Sequence, residues 1–423
     1  MYLRGSKWDL RKKRRPSRPW RILLLLILIV GTVYVWQIYI PNVPPLFIPT
    51  LTPTRSPASF VLEAESLFQA GKLSQAEESY QEAIAVNPRE ANYYIELARI
   101  RVFAGNYAAA ETAARDALVI DPNSALAHAV LGWSMDFQAA QEQDPAKSSE
   151  LLDAAMEEAE KALKLNPSSA LVRAYYAEIL IDNNIAEYER ALEEAQRAIE
   201  LDPNLLEGHR AMGYVWELTG NRQQALESYQ AAMLINPNLP RLHIDIGNMQ
   251  RALGDIEGAR DSYLNAVALA PTSTEPLSLL VQLYAGIGEF GRASQYASNA
   301  VDLDPTNARL HGNLGRMYYH NNALEEAIIQ LELAIRGGPT EDGAWVEGLP
   351  LNPGDERIIE FYYTYGLALA KMGRCEEAVP IFEALLRGVP ENEVAIYNAQ
   401  EGLILCGQLE RTPTPENEET PSP

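Results

Sequence analysis

Four of the five histidines stand six residues after a proline, in "DPNSALAH", "DPNLLEGH", "NPNLPRLH" and "DPTNARLH", which end at His128, His209, His243 and His311. Imidazole is the commonest metal-binding side chain, so a recurring histidine raises the question of a metal centre. The spacing argues against one. His209 and His243 lie 34 residues apart and His311 a further 68, whereas the ligands of one zinc must all reach within about 2 Å of it. Recurrence at one slot predicts that each histidine packs and hydrogen-bonds between its own neighbouring helices, with no metal and no cofactor.

Other chemistry is equally scarce. "GIGEFG" (Gly286 to Gly291) has dinucleotide-loop spacing but follows "LLVQLYA", a helical stretch rather than a strand. The chain contains no P-loop, no H-E-x-x-H, no G-x-S-x-G and no C-x-x-C. We expect no catalytic residue and no enzyme. Residues 22–423 carry 26 basic against 56 acidic side chains, a balance of −30. Such a field repels phosphate backbones, so nucleic acid is excluded as a partner.

The elements that position the histidines follow from the prolines. Pro88, Pro122, Pro167, Pro203, Pro237, Pro271, Pro305, Pro339 and Pro390 are separated by 34, 45, 36, 34, 34, 34, 34 and 51 residues. A period in this range means stacked repeats. Twelve residues before each proline stands an alanine, from Ala76 to Ala378, without a miss. Positions eight and five before the proline are also small, apolar or aromatic, and offsets of four and three share a helical face. Leu131-Gly132, Met212-Gly213, Ile246-Gly247, Leu314-Gly315 and Tyr365-Gly366 mark the other helix of the unit. A glycine there is expected where two helices approach closely. Turns at Gly71, Gly105, Gly220, Gly254, Gly288 and Gly373 join the two helices, and Asp-Pro or Asn-Pro closes the unit.

This pattern resembles the tetratricopeptide repeat family, most fully in "HRAMGYVWELTGNRQQALESYQAAMLINP" (209–237). The resemblance implies an all-α solenoid of about nine helical hairpins plus a terminal helix over residues 58–406. It further implies a concave groove, lined by the first helices, that holds a protein or peptide segment rather than a small-molecule substrate. Placed on the family pattern, Arg210, Tyr214, Glu217, Arg241, Asn248, Arg251, Arg309, Arg316 and Tyr319 face inward. Ile244 and Leu279 stand where the family's carboxylate clamp has Lys and Asn. Two readings of the inward residues stay open: a partner-binding strip, or pairing with local acids such as Glu217 and Asp245.

Two insertions depart from bare repetition, eleven residues near 136–150 and seventeen at 340–356, and both are expected as loops. Trp345, in the second, is a docking anchor or folds back over a helix. Cys375 and Cys406, the only cysteines, are placed to pair if the compartment is oxidising.

The N-terminus carries an address. Residues 1–21 hold nine Lys or Arg against one acid, a balance of +8, and residues 22–40 are nineteen without a charge. At about 1.5 Å per residue that run approaches bilayer thickness. It predicts a signal-anchor helix with the basic flank in the cytoplasm and the repeats across the membrane, against the rival of a cleaved signal peptide. A proline-rich linker (41–57) and an acidic Thr/Pro tail (407–423) flank the repeats. The function so implied is a membrane-anchored scaffold for protein–protein interaction. Its alternatives are a noncatalytic subunit of an envelope enzyme or secretion machine, and a cytosol-facing organelle import receptor.

Overall fold

In the computed structural model, which describes residues 19–35, 37, 55–142 and 144–410, the chain divides into two units, Met1–Arg55 and Ser56–Pro423. The first is described through one helix, α1 (Pro19–Tyr34), 16 residues long with every side chain exposed. Among the described residues no helix is long and apolar enough to cross a membrane. Most of the expected span's last third, the basic residues 1–18, the linker to residue 54 and the tail from 411 lie outside the described residues.

Among the described residues, the second unit is nine helical hairpins and a last helix. The hairpins are α2 (Pro57–Gln69) with α3 (Leu73–Val86), α4 (Ala91–Phe103) with α5 (Tyr107–Ile120), α6 (Ala125–Gln141) with α7 (Pro145–Leu165), and α8 (Ala170–Asn183) with α9 (Tyr188–Leu201). They continue as α10 (Leu206–Leu218) with α11 (Arg222–Ile235), α12 (Pro240–Leu253) with α13 (Ile256–Leu269), and α14 (Glu275–Gly286) with α15 (Phe290–Leu303). The last are α16 (Ala308–His320) with α17 (Leu324–Arg336) and α18 (Glu356–Lys371) with α19 (Cys375–Gly388), followed by α20 (Glu393–Leu405). All nine alanines twelve residues before the prolines are 0% exposed. They let the second helix of each unit press close to its neighbours. At the facing position a Cβ on Gly247 would lie 2.6 Å from Tyr263 Cε1, so a side chain there would push the hairpin apart.

The first helices of successive hairpins also pack on one another, α4 on α6, α6 on α8, α8 on α10, α16 on α18 and α18 on α20. They therefore form the inner side of the curve. An aromatic series runs along that side: Phe68 to Phe103 at 5.5 Å, Phe103 to Trp133 at 5.4 Å, and Trp133 stacked on Tyr175 at 4.2 Å between ring centres.

The insertion at 136–150 forms helix rather than a loop. It lengthens α6 to 17 and α7 to 21 residues, against 13 or 14 in most units. Its Ala, Gln, Glu and Lys are good helix formers, and Asp144 caps α7 by accepting from the Ala146 amide. The insertion at 340–356 does leave the helical path. A short antiparallel pair sets Pro339 beside Trp345, whose ring is 70% exposed and not folded over a helix.

The histidines serve the repeat. Nε2 of His128, His209, His243 and His311 each donates to the carbonyl of the proline six residues earlier, at 3.1, 2.9, 2.8 and 3.0 Å. Tyr94 and Arg173 fill the same slot in other units, donating to Pro88 and Pro167. The slot selects a donor able to reach back over one helical turn and satisfy a loop carbonyl, whatever its chemistry.

Candidate functional site

The inner side has two parts of different character. Over the first six hairpins it is closed by the chain's own side chains. Asn236 Nδ2 donates to Phe68 O at 3.2 Å and Asn238 Nδ2 to Gln69 O at 2.8 Å, joining the first hairpin's turn to the loop between the fifth and sixth hairpins. Arg99 of α4 pairs with the buried Glu207 of α10 at 2.6 Å. Both contacts skip several units, so the curve returns onto itself.

Several residues assigned to the groove lie within this closed part. Arg210 is 2% exposed, pairs with Glu178 of α8, and stacks over Trp133 and Phe137 at 5.3 and 5.5 Å. Glu178 also accepts from the Trp133 indole at 2.7 Å. Tyr214 donates to Asp182 at 2.8 Å, and Glu217 accepts from Tyr229 at 2.6 Å. Arg241 pairs with Asp245 at 2.9 Å and lies 5.7 Å over Phe137. Asn248 accepts from Tyr263 at 2.8 Å. Arg210 is thus enclosed in the protein, and its charge is answered by Glu178.

Burial of so many acids raises their pKa values. Desolvation pushes Glu178 up to about 7, with Arg210 only partly opposing it. Asp136 is held well above the usual range by burial and by the neighbouring Asp182 carboxylate, and Asp182 is itself raised by burial. Glu217 is raised by burial and by Asp245.

The second part is open. Between α14 and α16 lies a cleft of about 480 Å³, with Gln282, Phe290, Asn313, Arg316, His320 and Arg357 among the residues that line it. Arg251 at its edge is exposed and reaches Gln282 at 3.4 Å. Arg316 lies 2.8 Å from Glu360 of α18. Burial lowers the pKa of its guanidinium, with Glu360 opposing. Burial and the Arg316 charge also hold His320 below its ordinary value. Arg309 pairs with Asp355 at 2.5 Å, the residue whose carboxylate caps α18. Tyr319 is covered by the Lys371 ammonium, 4.3 Å from its ring centre.

Arg316 therefore lines the cleft and Arg251, on the sixth hairpin, reaches its Gln282, whereas Trp345 is on a separate loop. Gln282, Phe290, Asn313, His320 and Arg357 were not singled out from the sequence. Their signal was positional: Gln282, Asn313, His320 and Arg357 fall on first helices, where the inward face of the repeat lies. At the far end Cys375 and Cys406 form a disulfide with Cα atoms 5.5 Å apart, tying α20 to the start of α19.

A tetratricopeptide repeat model matches residues 61–125 and 279–342, and a second one matches 359–387. No curated protein matches the chain. Among solved structures, a human IFIT1 dimer with PPP-AAAA is 18% identical, covers 82% of this chain and 82% of its own, and has a TM-score of 0.53. A monomeric IFIT1 mutant with m7Gppp-AAAA is 16% identical over 83% of this chain and 81% of its own, at 0.54. Yeast Tom70 is 15% identical over 82% and 96%, at 0.37. At these identities the first two likenesses speak for the fold. The hairpins, their period and the matched segments agree: the chain carries tetratricopeptide repeats, stacked as an all-α solenoid.

Proposed function

We propose that this chain is a membrane-anchored scaffold, without chemistry of its own, that holds an extended segment of a protein partner in the open inner groove of its last three hairpins. The observation that carries the reading is the cleft between α14 and α16, lined by Arg316 and Arg357 and reached at Gln282 by Arg251, in an otherwise acidic chain. Arginine supplies bidentate hydrogen bonds and stacking in one side chain, so the fitting segment has carboxylates beside apolar anchors. The charge-free run at 22–40 behind a +8 flank supports the anchor and, because basic flanks favour the cytoplasmic side, repeats outside the cytoplasm. A disulfide between Cys375 and Cys406 suits such a compartment.

The test is a photocrosslinking residue at Gln282, in the cleft, compared with one at Glu257 on the exposed face of α13, in intact cells. Adducts specific to position 282, weakened by salt and lost in an Arg251→Ala/Arg316→Ala chain of unchanged helical content, are expected. Equal adducts at both positions, or adducts undiminished in the double variant, would refute the groove.

A further inference from the structure

Behind the closing contact lies a second cavity, of about 440 Å³, walled by segments of the first, second, third, fifth, sixth and seventh hairpins. That size is typical of small-molecule sites. It exists only because the curve returns onto itself, for the turn at Gly71 and the loop at Pro271 both line it. We propose that it binds a small amphipathic carboxylate, a flat apolar body bearing one anionic group.

The aromatic wall consists of Phe103, Tyr107, Trp133 and Phe137. Tyr107 and Phe137 stack at 4.9 Å with their planes 14° apart, and Trp133 is edge-on to Phe137. Aromatic walls of this kind accept an apolar body.

The charges point to an anion. Lys72, Arg210 and Arg241 line the cavity against a single acid, Glu275, in a chain where acids outnumber bases 57 to 35. The acids that balance the two arginines, Glu178 and Asp245, are not in the lining. Glu275 is more than half exposed and lies 3.7 Å from Arg241.

Two independent donors lack partners there. Arg210 is 2% exposed, yet its Nε has no hydrogen-bond acceptor. Leaving such a donor unmet costs about 1–3 kcal/mol, so a small turn of the guanidinium toward an anion in the cavity is favoured. The first residues of α3, Leu73, Ser74 and Gln75, also line the cavity, and Lys72 at the N-cap offers no side-chain acceptor to their amides. The first-turn amides of a helix favour an anion.

The test is calorimetric titration of the full chain in nonionic detergent with 2-naphthoate, and with 2-naphthylmethylamine as its cationic counterpart, micelles alone serving as blank. The carboxylate should bind at least ten times more tightly than the amine. Ser74→Trp, which fills the mouth from an exposed position, should weaken it at least tenfold, and Glu275→Gln should tighten it severalfold. Glu275 stands on the rim, outside the buried pairs, so its variant decides the sign of the site even if Ser74→Trp misfolds. Equal binding of acid and amine, no binding of the acid, or weaker binding in Glu275→Gln would overturn the proposal. Capture of the peptide Ala-Ala-Phe through its free carboxylate, with no binding of 2-naphthoate, would overturn it in favour of a polypeptide end.

Discussion

The return of the curve onto itself can be measured at one glycine. Gly71 has φ 73°, and a Cβ there would lie 2.1 Å from the Asn238 carbonyl oxygen. Gly220 occupies the same turn in the fifth hairpin with φ 78°, and a Cβ there meets nothing within 4 Å. Gly220→Ala therefore reports left-handed strain alone, about 1–2 kcal/mol. Gly71→Ala carries the same strain and also displaces the loop. That removes the Asn236–Phe68 and Asn238–Gln69 hydrogen bonds, at about 1 kcal/mol each. The extra cost of about 2 kcal/mol corresponds to about a 30-fold larger opening equilibrium at 1.4 kcal/mol per tenfold. Amide hydrogen exchange across 67–76 and 236–242 reads this directly. In Gly71→Ala both segments should lose protection together, whereas in Gly220→Ala neither should. Equal losses in the two variants, or a loss confined to 67–76, would show that the contact does not hold the curve closed.

Two further outcomes follow from the same packing. Carboxyls raised by burial, Asp136, Asp182, Glu178 and Glu217, bind protons more tightly folded than unfolded, so their contribution is fullest below the unfolded pKa and is lost as pH rises through the folded one. For Glu178, from 4.5 to about 7, this is worth about 3 kcal/mol. The melting temperature should therefore rise from pH 8 to pH 5.5 and do so less in Asp136→Asn; a fall on acidification, or an unchanged slope, would contradict the buried cluster. Reduction of Cys375–Cys406, which closes a loop of separation 31, should cost about 4 kcal/mol in the chain-entropy model. Its loss should appear as faster exchange across α20, and unaltered exchange after complete reduction would show that the bond carries no load.

What the sequence revealed was everything periodic. Pro88 to Pro390 and Ala76 to Ala378 gave the hairpins because each repeat must bury the same small face against its neighbour. Closure was not legible, since it depends on Asn236 meeting Phe68 across 168 residues, and no local pattern reports an accumulated curvature. The site suffered from the same blindness. Arg210 and Arg316 share a first-helix pattern, yet Arg210 is enclosed because the return of the curve sets it against Trp133 and Phe137 of the third hairpin, while Arg316 lies beyond the closed part. The histidine slot was visible as a register, but its partner, a backbone carbonyl, has no letter in a sequence.

The long reach of the closing contact also sets an order of events during synthesis. At about 5–20 residues per second, the turn at 68–71 leaves the ribosome about 10–30 s before Asn236, 168 positions later. Until then the early hairpins face solvent along the series Phe68, Phe103, Trp133 and Tyr175. That aromatic series joins each newly made hairpin to the one before it, so the nascent array is held in register while the element that will cover it is still being translated.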